Sequence, residues 1–281
     1  MEVRAATEAS PDATINEDYA VVAPDFVAVL DGVTVPAGVD TGCAHGPAWY
    51  VRRLGAHLMT VHGSDPTALL SDVLAAAIEA VRGDHGATCD LEHPGTPQST
   101  VCMLRTRRVS VDYLVLCDSP LVLDRGGTVE VITDMRLQQT RQRLREAAVV
   151  GVGAFGSVDR ASRLRELVTS RHRQVNRQGG YWIAAANPAA AHQALTGTVP
   201  HTGPLRLRRA ALLTDGASRA VDTFGLFDWS GLLDVLDRQG PRHLISIVRA
   251  AERADADGHL SPRHKRHDDA TAVHCDFVRE D

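Results

Sequence analysis

The sequence predicts an α+β fold in which two antiparallel sheets are covered by helices. Two observations carry that expectation. Four strand-like runs, STVCMLRT, RVSVDYLVLC, PLVLDR and GTVEVIT, follow one another between Ser99 and Thr133 with turn residues between them, the spacing of antiparallel meander rather than alternating βαβ units. Helical segments stand on both sides of that block, and more strand-like runs lie before and after it, so layering is the economical way to bury the apolar faces.

In chain order, DYAVVAPDFVAVLD from Asp18 to Asp31 reads as two strands joined at Ala23-Pro24-Asp25. Helices are expected from Trp49 to Val61 and from Pro66 to Val81, the second opened by Ser64-Asp65-Pro66, a capping residue ahead of a first-turn proline. Gly83 to Pro97 mixes Gly, His, Asp and Pro and reads as loop. After the strand block, Arg136 to Val149 and Ser157 to Gln174 read as helices, and YWIAAA and LRLRRAALLT as strands. Helices at Trp229 to Arg238 and Pro241 to Arg253 precede a last strand, TAVHCDFV. No internal repeat or linker divides the chain, so residues 1–281 are expected to form a single domain.

Composition narrows the function classes. Thirty Lys and Arg against 35 Asp and Glu leave a formal charge of −5, without the general basic footprint of a nucleic-acid binder. Hydrophobic residues at 44% suffice for a core, and aromatics at 4% require that it be built from Ala, Val and Leu. No apolar run reaches the 18 or so residues of a membrane span, and Met1-Glu2-Val3-Arg4 carries no secretory pattern, so a cytoplasmic location is expected; the chain is expected to be a monomer. Lys265 is the only lysine, which reads as the bias of a GC-rich, bacterial coding background rather than as mechanism. The five cysteines are scattered without a CxxC pair, arguing against a zinc ribbon or a disulfide framework. Cys102, Cys117 and Cys275 lie in apolar runs and read as small buried thiols.

Four aspartates share one context. Asp31, Asp118 and Asp215 each end an apolar strand-like run, and Asp268 stands just before the last one. Singly, each would be ordinary turn chemistry. Together they place carboxylates at strand rims, where crowding is relieved by hard divalent cations with oxygen ligands, so Mg²⁺ or Mn²⁺ is expected. Two such ions could activate a water and stabilise a transferring phosphoryl group.

The series Asn16-Glu17-Asp18, FVAVLDG, GTPQSTV, LVLCDSP, ALLTDGAS and His267-Asp268-Asp269-Ala270-Thr271 resembles the ordered motifs of the metal-dependent type 2C (PPM) serine/threonine phosphatases, across residues 16–277. The resemblance implies a four-layer α-β-β-α sandwich with a binuclear Mg²⁺ or Mn²⁺ site at one sheet edge. It implies that Asp31 bridges the ions, that the Gly32 carbonyl ligates one of them, and that Asp215 and Asp268 complete the other. Glu17 would contact the water shell, Asp118 a third ion, Asp18 would support the site, and Ser99 and Thr100 would pack beneath it. The implied activity is hydrolysis of phosphomonoesters on phosphorylated proteins by metal-bound hydroxide. The alternatives are a non-catalytic module of the same fold and a phosphatase of a small phosphorylated metabolite.

Three positions depart from the family pattern. Ala13 stands where a phosphate-gripping Arg is usual, Val33 where some forms have His, and Arg219 where many bacterial members have an acid. Arg219 is therefore expected to put a cation beside the cleft, replacing the phosphate contact or the third ion, against the plainer alternative that it faces solvent or pairs with Asp222; Arg4 is a second substitute. His267, next to Asp268, has the best claim among the histidines to a proton-transfer role. The arginines between Arg160 and Gly180 read either as a solvated helix face or as a cationic flap that attracts phosphorylated ligands.

Overall fold

The computed structural model describes residues 1–144, 155 and 157–277. Among these, ten strands form two five-stranded antiparallel sheets. Sheet I runs β1 (Glu2–Glu8), β10 (Ala270–Asp276), β9 (Leu207–Leu213), β6 (Leu121–Arg125), β7 (Thr128–Ile132). Sheet II runs β2 (Asp18–Val22), β3 (Phe26–Gly32), β4 (Ser99–Thr106), β5 (Ser110–Leu116), β8 (Leu195–Pro200). The helices are α1 (Pro47–Ser64), α2 (Leu70–Asp84), α3 (Arg136–Arg143), α4 (Val158–His172), α5 (Asp215–Asp222), α6 (Trp229–Gln239) and α7 (Pro241–Ala254). None is long and apolar enough to cross a membrane among the described residues.

Strand periodicity explains the layers. In β3, Val27 and Val29 point into the core between the sheets, with Cys102, Leu104, Leu121, Leu123, Leu212, Val273 and Cys275. Phe26, Ala28 and Leu30 point the other way, onto α1 and α2. Because both faces are covered, FVAVL reads as an unbroken apolar run. The outer face of sheet I, with Val122, Ala211, Leu213 and Ala272, packs on α5, α6 and α7 in the same manner. The four-strand block is therefore two hairpins in different sheets, and the chain changes sheet between Leu116 and Leu121.

Three expectations need correction. The second helix starts at Leu70, not Pro66, because the Asp65 side chain accepts the Thr67 and Ala68 amides while buried Arg105 takes the Pro66 and Ala68 carbonyls at 3.0 and 2.7 Å. YWIAAA is no strand: Ser99 and Ala184 form one isolated bridge, and the amide of Ile183 goes to the Asn176 side chain at 2.8 Å. Two strands, β1 and β8, and the short helix α5 arise where the sequence pattern signals none. Of the helix expected from Arg136 to Val149, residues up to 143 are helical and 145–149 lie outside the described residues.

One buried group makes stability depend on pH. His274 in β10 receives a hydrogen bond from Arg4 on Nδ1 (3.2 Å), so its proton sits on Nε2, which is buried without a partner among the described residues. Burial, and then the Arg4 charge, push its pKa down to about 4. An unfolded histidine binds its proton near about 6.5. The native state is thus fully stabilised above that pH and loses stability as pH falls toward 4. Taking the protein from pH 7 to 5 is expected to lower the urea midpoint of wild type more than that of His274→Leu; equal shifts would contradict this.

Candidate metal and phosphate site

Three strand ends from both sheets meet at one rim. Asp31 closes β3, directly opposite Asp18 on β2 and Thr100 on β4. Asp215 is the first residue of α5 after β9, and its amide points to Asp31 Oδ2 at 3.4 Å. Asp268 leads into β10 beside it. Both Asp-Gly pairs are dictated by close backbone approach. A Cβ on Gly32 would lie 2.5 Å from the Glu17 carbonyl oxygen, and one on Gly216 would lie 1.9 Å from that of Asp269 and 3.2 Å from Asp268 Cβ.

The local architecture holds the acids in place. Asp269, unassigned by sequence reasoning, accepts the amides of Ser10 (2.7 Å) and Glu17 (2.6 Å), fastening the Asn-Glu-Asp segment to the lead-in of β10. Buried Asp18 accepts from Thr214 Oγ1 at 2.8 Å, and Glu17 from the Thr34 hydroxyl. Thr100 and Ser119 hydroxyls meet at 2.5 Å beneath the rim. The Asp31 carboxyl is pushed well above the usual range by burial, then by Asp215, Asp18 and Asp268. Burial also raises Glu17, against Thr34 and Lys265, which favour its ionised form. Such a group of oxygen donors is under electrostatic demand for positive charge and suits a hard divalent cation.

Two protein cations already meet part of that demand. Lys265 Nζ lies 2.7 Å from Asp268 Oδ1 and 2.9 Å from Thr34 Oγ1, and Arg219 Nη2 lies 2.8 Å from Asp268 Oδ2. The single lysine, read from the sequence as background, is thus part of the site. Burial works against its charge, but Asp268, Asp215 and Asp31 prevail and hold its pKa above that of ordinary lysine. Arg219 neither faces solvent nor pairs with Asp222. Its other terminal nitrogen reaches Glu252 Oε1 at 2.7 Å, and Glu252 Oε2 accepts from Arg249 at 2.7 Å. Glu252 is wholly buried. Both terminal nitrogens of Arg219 are thus engaged, one by Glu252 and one by Asp268.

The remaining candidates are distributed around this centre. Asp118 follows Cys117, whose φ of 70° turns the chain after β5, and its Oδ2 accepts from Arg141 at 3.2 Å. Cys102 and Cys275 are buried in strands and Cys117 is buried in that turn. His267 pairs with Asp12 at 2.8 Å, and Arg4 lies against His274 and the Asp237 carbonyl. His264 is pushed down to about 4 by burial and by Arg141, Arg171, Arg160 and Lys265. Within the basic segment, Arg160 is buried, stacks on Phe155 and donates to the Arg263 carbonyl at 2.7 Å, whereas Arg163, Arg173 and Arg177 are exposed. Sequence reasoning missed Lys265, Glu252 and Asp269; the Asp268-Asp269 pair was the available signal for the last.

Breaking the triad has a predictable cost. Arg219→Leu leaves Glu252 buried with a single cation, and the expected loss of unfolding free energy in urea is about 3–5 kcal/mol; a loss under about 1 kcal/mol would contradict the role given to Arg219.

The fold has relatives of known structure. The chain is similar to the PPM Ser-Thr phosphatase MsPP from Mycobacterium smegmatis, with a TM-score of 0.58 and 17% identity over 99% of each chain. It is similar to the catalytic domain of the serine threonine protein phosphatase PstP in complex with two manganese ions, with a TM-score of 0.57 and 15% identity over 98% of this chain and 97% of that one. The serine/threonine phosphatase Stp1 from Staphylococcus aureus gives a TM-score of 0.59 and 9% identity over 99% and 96%. No protein-family model and no curated relative matches the sequence. Two five-stranded antiparallel sheets between helical layers are, in this chain, the PPM phosphatase fold.

Proposed function

We propose that the protein is a metal-dependent phosphomonoester hydrolase acting on phosphoserine and phosphothreonine in proteins, with Mg²⁺ or Mn²⁺ at the acid cluster. The observation that carries the proposal is the meeting of Asp31, Asp215 and Asp268 from three strand ends, with the Asp31 carboxyl raised by burial and then by its acidic neighbours. The fold shared with MsPP and with PstP, whose catalytic domain was crystallised with two manganese ions, supports it.

Asp31, the Gly32 carbonyl, Asp215 and Asp268 would hold the ions, Glu17 their water shell, and Asp118 a third, weaker ion. When bound, the ions supply Lewis acidity toward the phosphoryl oxygens and lower the pKa of water. The chain's own residues supply position and charge. Arg219 and Glu252 hold Asp268, and Asp269 holds Glu17 through its amide. With Ala13 in place of the usual arginine, Lys265 is the cation suited to meet the substrate phosphate, its side chain being 39% exposed beside Asp268.

Hydrolysis of p-nitrophenyl phosphate and of a phosphothreonine peptide is expected with saturating Mn²⁺, and EDTA abolishes it. Asp31→Asn and Asp215→Asn are expected to lower kcat on the order of 10²-fold or more. Absence of turnover despite bound Mn²⁺ would instead favour the non-catalytic module, and turnover of small phosphoesters without peptides the metabolite phosphatase.

Lys265 and a metal ion compete for Asp268. Lys265→Met is expected to tighten Mn²⁺ binding about tenfold in calorimetry, corresponding to about 1.4 kcal/mol. An unchanged Kd would show that the ammonium does not oppose the metal.

A further inference from the structure

Away from the acids, the fold gathers a second set of ligands with different chemistry. Cys43, His45, His85 and Cys89 bring two Sγ and two imidazole nitrogens within 4.8 Å of one another. Among the described residues, this is the group of metal-ligating side chains drawn together that closely. Neither half is conspicuous in the sequence, since the pairs are Cys-x-His and His-x-x-x-Cys, 40 residues apart. The missing CxxC pair argued against a zinc ribbon or a disulfide framework; the structure instead brings Cys43 and Cys89 together with two histidines.

The local backbone explains the convergence. Cys43 and His45 immediately precede α1, whose N-cap is Gly46. His85 ends α2, and the turn Gly86–Thr88, entered through Gly86 at φ 65°, carries Cys89 back toward it. The two loops are joined by the Asp90 amide, which donates to the Gly42 carbonyl at 2.7 Å. Trp49 on α1 holds both rings: His45 stacks on it at 3.9 Å and His85 meets it edge-on at 4.7 Å.

The distances resemble the edges of a coordination tetrahedron. Zinc at about 2.3 Å from sulfur and about 2.0–2.1 Å from nitrogen sets S···N edges of about 3.5 Å. Cys43 Sγ lies 3.5 Å from His45 Nδ1 and 3.4 Å from His85 Nδ1, and Cys89 Sγ lies 3.4 Å from His45 Nδ1. The Sγ atoms are 3.1 Å apart, short of the roughly 3.8 Å of that tetrahedron and far beyond the 2.05 Å or so of a disulfide. Two thiolates and two imidazoles in this arrangement select zinc over the magnesium, manganese and calcium ions that prefer oxygen.

We propose that Cys43, His45, His85 and Cys89 bind one structural zinc ion, which pins the loop before α1 to the C-terminal end of α2. Four protein ligands close the site, so its role is to brace rather than to react. What it braces reaches the acids: a cavity of about 320 Å³ is lined by Glu17 together with Thr41, His45, Pro47 and Gly95. The zinc would hold the wall of that groove.

The full chain, purified under reducing conditions, is expected to contain about one zinc per molecule. Cys43→Ser and Cys89→Ser are expected to lose it, whereas Asp31→Asn keeps it, which separates this site from the acid cluster. Because the cysteine variants can fail to fold, the wild-type chain loaded with Co²⁺ supplies an independent reading: thiolate charge-transfer bands and intense tetrahedral d–d bands are expected. Wild type that neither contains nor takes up zinc, a Co²⁺ spectrum without thiolate bands, or a Cys43–Cys89 disulfide in place of the metal would each overturn the proposal.

Discussion

Repulsion among acids packed at the meeting point of the two sheets is the constraint to which the rest of this structure answers. Six carboxyl groups, those of Glu17, Asp18, Asp31, Asp215, Asp268 and Asp269, sit in mutual electrostatic contact, several of them buried. Three of them find partners within the chain. Asp18 and Asp269 are consumed by hydroxyl and amide donors. Asp268 is held between Arg219 and Lys265. Asp31 is left without such an ionic partner among the described residues, and burial together with its neighbours raises its carboxyl well above the ordinary range. A divalent cation is the partner that such a centre lacks in its own chain.

The arginines carry much of the remaining structure. Arg219 and Arg249 both bind the buried Glu252, tying α5 to α7. Arg263 holds the Asp255 carboxylate at 2.8 Å, and Arg105 gathers the carbonyls ahead of α2. Guanidinium groups suit this work because a planar fork can satisfy several acceptors at once. Lysine is a compact and mobile charge, and Lys265, half-exposed and bonded to one oxygen of Asp268, is the cation that the proposed metal site would displace.

What could be read from the sequence was whatever depends on neighbours along the chain. Asp31, Asp118, Asp215 and Asp268 are visible because each lies at the border of an apolar run, and β3, β4 and β10 are visible because β-rich residues continue unbroken through both buried faces. Partners fixed only by folding were not legible. Nothing local marks Glu252 as the counter-charge of Arg219, or Asp269 as the clamp on Glu17, since these pairs are 33 and 252 residues apart. The Cys and His pairs stayed hidden for the same reason. The late start of α2 shows that a capping signal yields when a distant side chain such as Arg105 claims the carbonyls that a first helical turn would use.

The most direct test of the account is a crystal structure of the protein grown with Mn²⁺ and measured at the manganese absorption edge. The account predicts anomalous peaks among Asp31, Asp215 and Asp268, with Lys265 Nζ withdrawn from Asp268 while Arg219 remains on Glu252. An intact Lys265–Asp268 ion pair with no manganese between the three aspartates would contradict it.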